Sequence, residues 1–425
     1  MQEKENAYKM TPRYAKEMDN SDALAGCRQQ FLLPKHGKKE AIYLCGNSLG
    51  LQPKEAKTLI EQELNDWAKY GVEGHFEAKN PWFAYHTFFT ESLAKLVGAT
   101  NKEVVAMNTL TVNLHLLMLS FYRPSKQRYK IIMEAGAFPS DMYAMETQAQ
   151  LHGFDPAEAI IEIAPRAGEH CIRLSDIEDA IQKHKSSLAL VMFGGVNYYT
   201  GQYFDIENIV QMTHDAGALA GFDLAHAIGN KELHLHDWKV DFACWCSYKY
   251  LNSGPGAVGG AFVHEKHIKN KNTFRLAGWW GHDAKTRFKM KKGFKPMKSA
   301  ESWQMSNAQV FNMIALRASL NIFDQVSMQE LADKSYHLTA YAEFLLKQLT
   351  HLKFEIITPS NPTERGCQLS LLFKSKGKEV FKALQENGVI ADWREPNVIR
   401  IAPVPLYNSY QDIYAMYKIM KECNV

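Results

Sequence analysis

Two residues with complementary chemistry follow consecutive apolar segments of this 425-residue sequence. Asp223 ends the segment 218–223, and Lys249 follows the segment 240–246 by three residues. Because the carboxyl ends of parallel strands form the ligand-binding edge of an open α/β sheet, we expect both side chains to enter one crevice. A lysine amine can form a Schiff base with an aldehyde, and a carboxylate can keep a pyridine nitrogen protonated. The pair therefore predicts a site for pyridoxal 5'-phosphate (PLP).

Composition limits the classes of protein to which the chain can belong. Hydrophobic residues make up 46% and charged residues 22%, which is typical of a globular protein with a sizeable core. Lys and Arg number 49 against 46 Asp and Glu, and a net charge of +3 does not indicate a nucleic-acid partner. The most basic stretch, 285–298, is expected to be a solvated loop.

The cysteines and the N-terminus predict a cytoplasmic location. Seven cysteines at irregular spacing indicate reduced thiols, and Cys244 and Cys246 alternate as small core side chains of a buried strand. Residues 1–6 lack the apolar segment of a secretion signal. No apolar run approaches the ~18 residues of a membrane span, so we expect no membrane partner.

The chemistry requires a sheet, and the pattern from about residue 103 to 263 alternates between strand and helix. Short apolar runs at 129–133 and 188–193 suit buried parallel strands. Before them, a helix over 53–70 is opened by Pro53 and ended by Gly71. Between them, a capping box at 175–178 begins another helix. A further helix begins at Asp205 and ends at Gly217.

The ends of the chain follow different patterns. The polar N-terminal part predicts an arm, with a helix around 13–31. Beyond about residue 305, long amphipathic helices precede strands at 354–357, 367–373 and 398–402 and a helix at 378–386, which predicts a smaller α+β unit. The expected domains are an arm at 1–52, a large α/β domain with a mainly parallel sheet at 53–304, and a C-terminal α+β domain at 305–425.

Several longer motifs carry a resemblance to a known family. The chain resembles the kynureninases, PLP-dependent enzymes of fold type I, from about Tyr43 to Tyr417. Asp-x-x-His or Ser-x-Lys alone would indicate only the superfamily, whereas the ordered set is specific. The set comprises segments 44–53, 110–117, 138–141, 199–202, 221–226, 247–252, 278–282 and 399–408.

The resemblance implies a set of residues around the cofactor. Phe138 would stack on the PLP ring, and Tyr248 would reach the phosphate. Trp279 and Asn307 would reach the phosphate from the partner subunit of a homodimer. Thr111 stands where a helix N-cap and an anion binder coincide. The implied cofactor-binding residues are Leu110, Thr111, Phe138, Asp141, Gly194, Asp223, His226, Tyr248, Lys249, Trp279 and Asn307.

One of these positions departs from the family pattern. Relatives can carry a serine that contacts the cofactor where this chain has Gly194, so a side-chain contact is lost there. Structural explanations stay open for others: a packed histidine at His226, a helix cap at Thr111, a core ring at Phe138, and a turn-forming carboxylate at Asp141.

For the substrate, the resemblance implies an arginine clamp and a hydroxyl-binding group. Arg400 would bind the α-carboxylate, since a planar bidentate donor suits that task, although a strand arginine in a surface ion pair has the same sequence. His75, on an expected loop, would join Ser306 and Asn307 in favouring a 3-hydroxylated ring. Lys249, Tyr248 and Asp223 would be the catalytic residues.

The predicted function is hydrolysis of L-kynurenine or L-3-hydroxykynurenine to an anthranilate and L-alanine, in tryptophan catabolism and de novo NAD biosynthesis. An aminotransferase or a cysteine desulfurase of the same fold is the alternative, and a PLP-binding protein without catalysis is a second. Cys367 is interpreted as core and not as a desulfurase nucleophile. His234 and His236 alternate like a metal pair, but without further ligands no metal is predicted.

Overall fold

The computed structural model describes residues 8–423. The first seven residues of the predicted arm lie outside the described residues. The prediction that the chain has no secretion signal concerns these residues. None of the helices within the described range is long and apolar enough to cross a membrane.

A seven-stranded sheet forms the centre of the larger part of the chain, in the order β1-β7-β6-β5-β4-β2-β3. Every strand except β7 runs in the same direction, because β7 pairs antiparallel with both β6 and β1. Strands β5 to β7 are buried almost throughout, as expected for a sheet covered on both faces. The predicted mainly parallel sheet is confirmed. Its strands are Val104–Ala106 (β1), Lys130–Glu134 (β2), Ile160–Ile163 (β3), Leu188–Gly194 (β4), Leu219–Asp223 (β5), Phe242–Cys246 (β6) and Gly259–Val263 (β7).

Helices lie along both parts of the chain, and three short ones, near residues 74, 156 and 265, connect longer elements. The α-helices are Pro12–Asn20 (α1), Glu55–Tyr70 (α2), Gly74–Glu77 (α3), Thr90–Val97 (α4), Leu110–Phe121 (α5), Pro139–Leu151 (α6), Pro156–Ala159 (α7), Leu174–His184 (α8), Ile206–Asp215 (α9), Glu265–Lys269 (α10), Val310–Phe323 (α11), Met328–Leu346 (α12), Gly377–Glu386 (α13) and Tyr410–Glu422 (α14).

A second, antiparallel sheet lies in the C-terminal part, in the order β8-β9-β11-β10. Its apolar side chains form a core with α12, α13 and α14 that is separate from the core around the large sheet. Short two-residue pairings near residues 31–53 and 389–390 complete the strands. The strands of this sheet are Phe354–Ile356 (β8), Leu369–Phe373 (β9), Asp392–Arg394 (β10) and Val398–Ile401 (β11).

The N-terminal helix α1 packs on the C-terminal core and does not extend from the molecule as a free arm. Ala15 is fully buried in that core. The Asp19 carboxylate accepts hydrogen bonds from the backbone N–H groups of Tyr410 (2.6 Å) and Gln411 (3.1 Å), at the start of α14. A carboxylate at this end of a helix satisfies free N–H groups and favours the helix dipole.

Several predicted element starts were wrong. Pro53 pairs in a short strand with Phe31, and α2 begins two residues later. Helix α8 begins at Leu174, with Arg173 as its N-cap and no side-chain capping bond, so the predicted capping box at 175–178 does not form. The single helix expected around 13–31 is α1 followed by a separate 3₁₀ turn, Ala25–Gln30. By contrast, Asp205 caps α9 as predicted, accepting from Asn208 N–H.

Candidate active site

The carboxyl ends of β2, β4, β5 and β6 surround a cavity of about 170 Å³. Asp223 is the last residue of β5, and Lys249 follows β6 by three residues, so the sheet brings the two predicted groups to one cavity. This is where ligands bind to open α/β sheets. The lining residues are Leu110, Thr111, Glu134, Phe138, Ser140, Asp141, Gly194, Val196, Tyr198, Asp223, Ala225, His226, Tyr248 and Lys249.

The lysine amine contacts a histidine and faces an aromatic ring. Lys249 Nζ lies 2.8 Å from His226 Nε2 and 5.6 Å from the centroid of the Phe138 ring. Burial, together with the charge of Lys249, lowers the pKa of His226 well below its usual value. A neutral imidazole can accept a hydrogen bond from Lys249, which leaves Nδ1 as the protonated nitrogen. Within residues 8–423, His226 Nδ1 is buried and has no hydrogen-bond partner.

Three buried carboxyl groups line the same cavity. Burial raises the pKa of Asp223, and the nearby Lys249 opposes this shift. Asp223 Oδ1 accepts a hydrogen bond from Ala225 N–H at 2.7 Å. Burial and the charge of the neighbouring Asp223 raise the pKa of Asp141 well above its usual value. Burial also raises the pKa of Glu134 to about 7. The cluster thus favours a cationic ligand group near Asp223.

The start of α5 opens into the cavity. Leu110 is the first residue of the helix and Thr111 the second, so Thr109 is the N-cap and the cap predicted at Thr111 was wrong. No side chain caps this helix end in the described structure. Its first N–H groups are therefore available to an anion, and Thr111 adds a hydroxyl beside them.

Arg400 lies on β11 and is almost completely buried, at 1% exposure. Its guanidinium donates from Nε to Asp392 Oδ2 at 2.6 Å and from Nη1 to the Tyr198 carbonyl at 2.5 Å. The ion pair is therefore buried, unlike the surface pair considered from the sequence. Tyr198 also contacts Phe138, with ring centroids 5.2 Å apart and the rings nearly perpendicular. Tyr198 thus joins the predicted carboxylate clamp to the cofactor cavity.

Besides Arg400, four predicted residues do not line this cavity among the described residues. Trp279 is 49% exposed, whereas its neighbour Trp280 is buried. Ser306 and Asn307 are exposed and hydrogen-bonded to each other. His75 lies within the short helix α3 and packs edge-on against Trp82, so the prediction that His75 lies on a loop was wrong.

Five further residues line the cavity and were not predicted from the sequence: Glu134, Ser140, Val196, Tyr198 and Ala225. Glu134 could have been found, because it directly follows the apolar run 129–133, and strand ends face the crevice. Tyr198 follows β4 by four residues in a turn. Its place in the site depends on tertiary contacts with Phe138 and Arg400, for which the local sequence has no signal.

The two histidines considered as a metal pair have different partners. His234 Nε2 lies 3.5 Å from Glu232, whereas His236 Nδ1 lies 3.0 Å from the buried Glu103. Glu103, His236 and His264 hold potential ligand atoms within 4.8 Å of one another. Glu103 already accepts bonds from the backbone N–H groups of Thr100 and Glu265. These contacts explain the cluster as a structural hydrogen-bond network.

Comparison with known proteins decides the family. The model of the kynureninase C-terminal domain matches residues 331–420. The kynureninase of Flavobacterium psychrophilum is 52% identical over 418 residues, which are 98% of each chain. The kynureninase of Nematostella vectensis is 47% identical and is covered over 92% of its length. The chain belongs to the kynureninase family. The resemblance inferred from the motifs is thereby confirmed for almost the entire sequence.

Solved structures establish the fold that this kynureninase family member shares with other enzymes. A cysteine desulfurase from Thermococcus onnurineus NA1 superposes with a TM-score of 0.73 at 19% identity, covering 90% of this chain and 94% of that one. The cysteine desulfurase CsdA from Escherichia coli gives 0.75 at 17% identity, with 93% and 97% covered. At these identities the likeness concerns the fold alone. The predicted fold type I is confirmed.

Proposed function

We propose that the chain hydrolyses L-kynurenine or L-3-hydroxykynurenine to an anthranilate and L-alanine with PLP as cofactor. Family membership over 98% of the chain supports a PLP-dependent hydrolase that acts on a carbon–carbon bond. The cavity that joins Lys249 to Asp223 is the observation that carries the proposal. To test it, PLP-loaded protein is incubated with kynurenine and without any keto acid. We expect equal amounts of anthranilate and alanine, and absence of both products would refute the proposal.

The residues of the cavity fit PLP. Lys249 supplies the amine for its aldehyde, and Asp223 supplies an anion for the pyridine nitrogen. Phe138 offers a ring face near the lysine, and the start of α5 offers uncapped N–H groups for the phosphate. The buried, unpartnered Nδ1 of His226, within the described range, adds a donor that a ligand atom can satisfy. Bound PLP would supply an electron-accepting ring for substrate carbanion chemistry.

Lys249 and Asp223 have different proposed roles: Lys249 transfers a proton, and Asp223 stabilises a positive charge. Lys249 Nζ, oriented by His226 at 2.8 Å, is the group that takes and returns a proton at the substrate Cα. Asp223 is held at the end of β5 by the backbone of that strand and by Ala225 N–H. A cationic pyridine nitrogen beside it would favour its ionised form, against the effect of burial.

Tyr248 is the proposed acid for the hydration of the substrate ketone. Burial raises the pKa of its phenol above the usual value, so the hydroxyl keeps its proton at neutral pH. A protonated phenol can donate to an oxygen on which negative charge develops. Tyr248 adjoins Lys249 in sequence, and both side chains line the cavity.

Arg400 is the proposed clamp for the substrate carboxylate. Its five donors suit a planar anion, and Asp392 and the Tyr198 carbonyl hold the guanidinium in one orientation. We expect Arg400→Lys to raise KM strongly with a smaller effect on kcat, because a lysine offers no fork of donors. If steady-state kinetics gives the same KM for Arg400→Lys as for the wild type, Arg400 does not bind the substrate carboxylate.

The alternatives within the fold are less well supported. A desulfurase needs a thiolate nucleophile, but Cys367 is fully buried and burial raises its pKa to about 12. A transaminase would require a keto acid for turnover, which the proposed assay omits. A PLP-binding protein without catalysis would not need Tyr248 or Arg400, and this chain has both.

A homodimer is part of the proposal, since Trp279 and Asn307 are exposed and lie apart from the cavity of their own chain. A further apolar surface lies on α2 and α11, where Trp67 is 58% exposed and packs on the exposed Phe311. Mixing inactive Lys249→Ala and Trp279→Ala chains tests donation between subunits. Heterodimers should regain one intact site, and failure to regain activity would count against Trp279 acting on the partner's site.

We also propose that the preferred substrate carries the 3-hydroxyl. His75, Ser306 and Asn307 are the polar groups that the family resemblance assigns to that hydroxyl, and a site that hydrogen-bonds a hydroxyl discriminates against its absence. A higher kcat/KM for 3-hydroxykynurenine than for kynurenine is expected. A preference for kynurenine would overturn this part of the proposal and leave the reaction type intact.

A cytoplasmic location and roles in tryptophan catabolism and de novo NAD biosynthesis complete the proposal. The seven thiols are free, which suits a reducing compartment. Cell fractionation followed by the kynurenine assay tests the location, and activity confined to a membrane or secreted fraction would contradict it.

A further inference from the structure

Glu134 lies in the cofactor cavity without an assigned role. It is the last residue of β2, is 4% exposed, and lines the cavity together with Asp223 and Lys249. A buried carboxyl group is costly unless its oxygens are hydrogen-bonded, so its contacts indicate what it does.

Both oxygens of Glu134 face donors from the segment 194–200. Oε1 accepts from Gly194 N–H at 3.1 Å, and Oε2 accepts from Asn197 Nδ2 at 2.7 Å. The orientation of the Asn197 amide is fixed, because its Oδ1 accepts from the N–H groups of Tyr199 (3.0 Å) and Thr200 (2.9 Å). Glu134 therefore meets two donors, one at each of its oxygens, whereas a side-chain amide at this position could accept from only one of them.

The lack of a side chain at position 194 leaves room for this arrangement. A Cβ atom at Gly194 would lie 2.7 Å from Glu134 Oε1, closer than real Cβ contacts allow. The Glu134 carboxylate thus occupies the space that a side chain at position 194 would need.

The segment held by Glu134 connects the two halves of the site. Tyr198 follows Asn197 directly, and its ring packs on Phe138 at 5.2 Å. Its carbonyl accepts from Arg400 Nη1 at 2.5 Å and from Gln368 Nε2 at 3.0 Å. A shift of the 194–200 segment would therefore move a contact of the cofactor-stacking ring and a contact of the substrate clamp together.

We propose that Glu134 is a positioning residue, which holds the 194–200 segment through Gly194 and Asn197 and so sets Tyr198 against Phe138 and Arg400. The inference rests on the proposed function for the roles of Phe138 and Arg400. Glu134 acts through hydrogen-bond complementarity, since two donors on the segment require two acceptors on the side chain at 134.

Glu134→Gln tests this complementarity with little change in shape. The amide accepts at one end only, so one of the two donors loses its partner or faces another donor. We expect the dissociation constant for PLP and the KM for kynurenine each to rise about tenfold, the size of one lost buried hydrogen bond to a charged group. Glu162→Gln on the neighbouring strand β3 is the matched control, since Glu162 is exposed, and it should change neither value.

The double variant Glu134→Gln with Asn197→Asp provides the rescue. Its new carboxylate at 197 can accept from the amide at 134 and from Tyr199 and Thr200 N–H, while the amide oxygen at 134 accepts from Gly194 N–H. The net charge equals that of the wild type. Both constants should return to within about threefold of the wild-type values, which a merely structural loss at 134 would not predict.

PLP titration of the apoprotein, followed by the absorbance of the bound cofactor, gives the dissociation constants without reference to turnover. A wild-type protein that binds PLP but forms no anthranilate would refute the proposed function, whereas the PLP constants of the variants would still test the positioning inference. Unchanged constants in Glu134→Gln, or no recovery in the double variant, would overturn the inference. If Glu134→Gln does not fold, folding of the double variant supports it and failure of both overturns it.

Discussion

Two buried carboxylates lie at opposite ends of neighbouring strands, and their surroundings differ. Asp241, just before β6, accepts from Ala220 N–H (2.7 Å), His214 (2.9 Å) and His267 (2.7 Å), and pairs with Lys266 at 2.7 Å. Asp223, at the end of β5, accepts from the single backbone group of Ala225 and faces another carboxyl.

The ionisation of the two groups follows from these partners. Burial alone would raise the pKa of Asp241, but hydrogen bonds from His214 and His267 and the charge of Lys266 lower it below the usual value. Burial raises the pKa of Asp223, because Lys249 and Ala225 compensate only in part. Although both carboxyl groups are buried, the charge of Asp241 is balanced within the chain by Lys266 and two histidines. At the other end of the sheet, the charge of Asp223 is left for a ligand to balance.

Lys249→Ala should give the largest contrast between the two ends. Activity should fall by about 10³-fold or more, since the group that transfers the Cα proton and links the cofactor is lost. The thermal stability of the apoprotein should change little, because Lys249 is only partly buried. Borohydride reduction and peptide mapping should label residue 249 in the wild type. A label on a different lysine would refute the assignment.

Asp223→Asn should reduce kcat by about 10²–10³-fold, because an amide cannot hold the pyridine nitrogen protonated as a carboxylate does. PLP should be largely retained, since the contacts proposed for its phosphate are unchanged. The melting temperature of the apoprotein should stay equal or rise, because a buried carboxyl with a raised pKa is removed. Wild-type kcat would contradict the role of Asp223.

Asp241→Asn should have the reverse profile. Removing the charge leaves Lys266 and two histidines without their shared anion, and we expect a loss of about 3 kcal/mol in the free energy of unfolding. The kcat of the folded, PLP-loaded fraction should remain within about twofold, since Asp241 lies at the far end of the sheet. Urea denaturation and steady-state kinetics on the same preparation measure both. A loss of kcat in Asp241→Asn without a loss of stability would contradict the proposed difference between Asp241 and Asp223.

The pH dependence of apoprotein stability should show the smallest effect. The pKa of Glu134 is raised in the folded state to about 7, so the folded state binds more protons than the unfolded state above about pH 4.5. Its contribution to stability is therefore present at low pH and is lost as pH rises toward 7. Relative to Glu134→Gln, the wild type should lose about 2 kcal/mol between about pH 5 and 6.5. For Asp241, whose pKa is lowered, stability is lost instead as pH falls below about 4.

Much of the fold could be predicted from the sequence, because buried parallel strands are continuous apolar runs. The runs ending near Met133, Phe193 and Asp223 are strands of the large sheet. Helix starts were less predictable. Ser175 and Glu178 have the sequence of a capping box, but α8 begins one residue before Ser175 and is positioned by its buried residues Ile177 and Ile181. Tertiary packing overrode the local signal there.

The site was predictable where strand ends determine it and unpredictable where loops do. Asp223 and Lys249 meet because adjacent strands end together. Tyr198 contributes to the site through its contact with Arg400, which is 202 residues away in sequence. Glu134 contributes through its contact with Asn197, 63 residues away. Trp279, Asn307, Ser306 and His75 remain predictions, since a single chain does not bring them to the cavity.

The docking of α1 against α14 has a consequence for synthesis of the chain. Asp19 and Tyr410 are separated by 391 residues, so α1 must wait for α14 to be made before the two can dock. At 5–20 residues per second this interval lasts about 20 to 80 s. A nine-residue helix is not stable alone in water, and Tyr14 and Met18 have no core to join until then. The C-terminal core therefore closes only after α14 has been made, and until then the apolar face of α1 stays uncovered by that core.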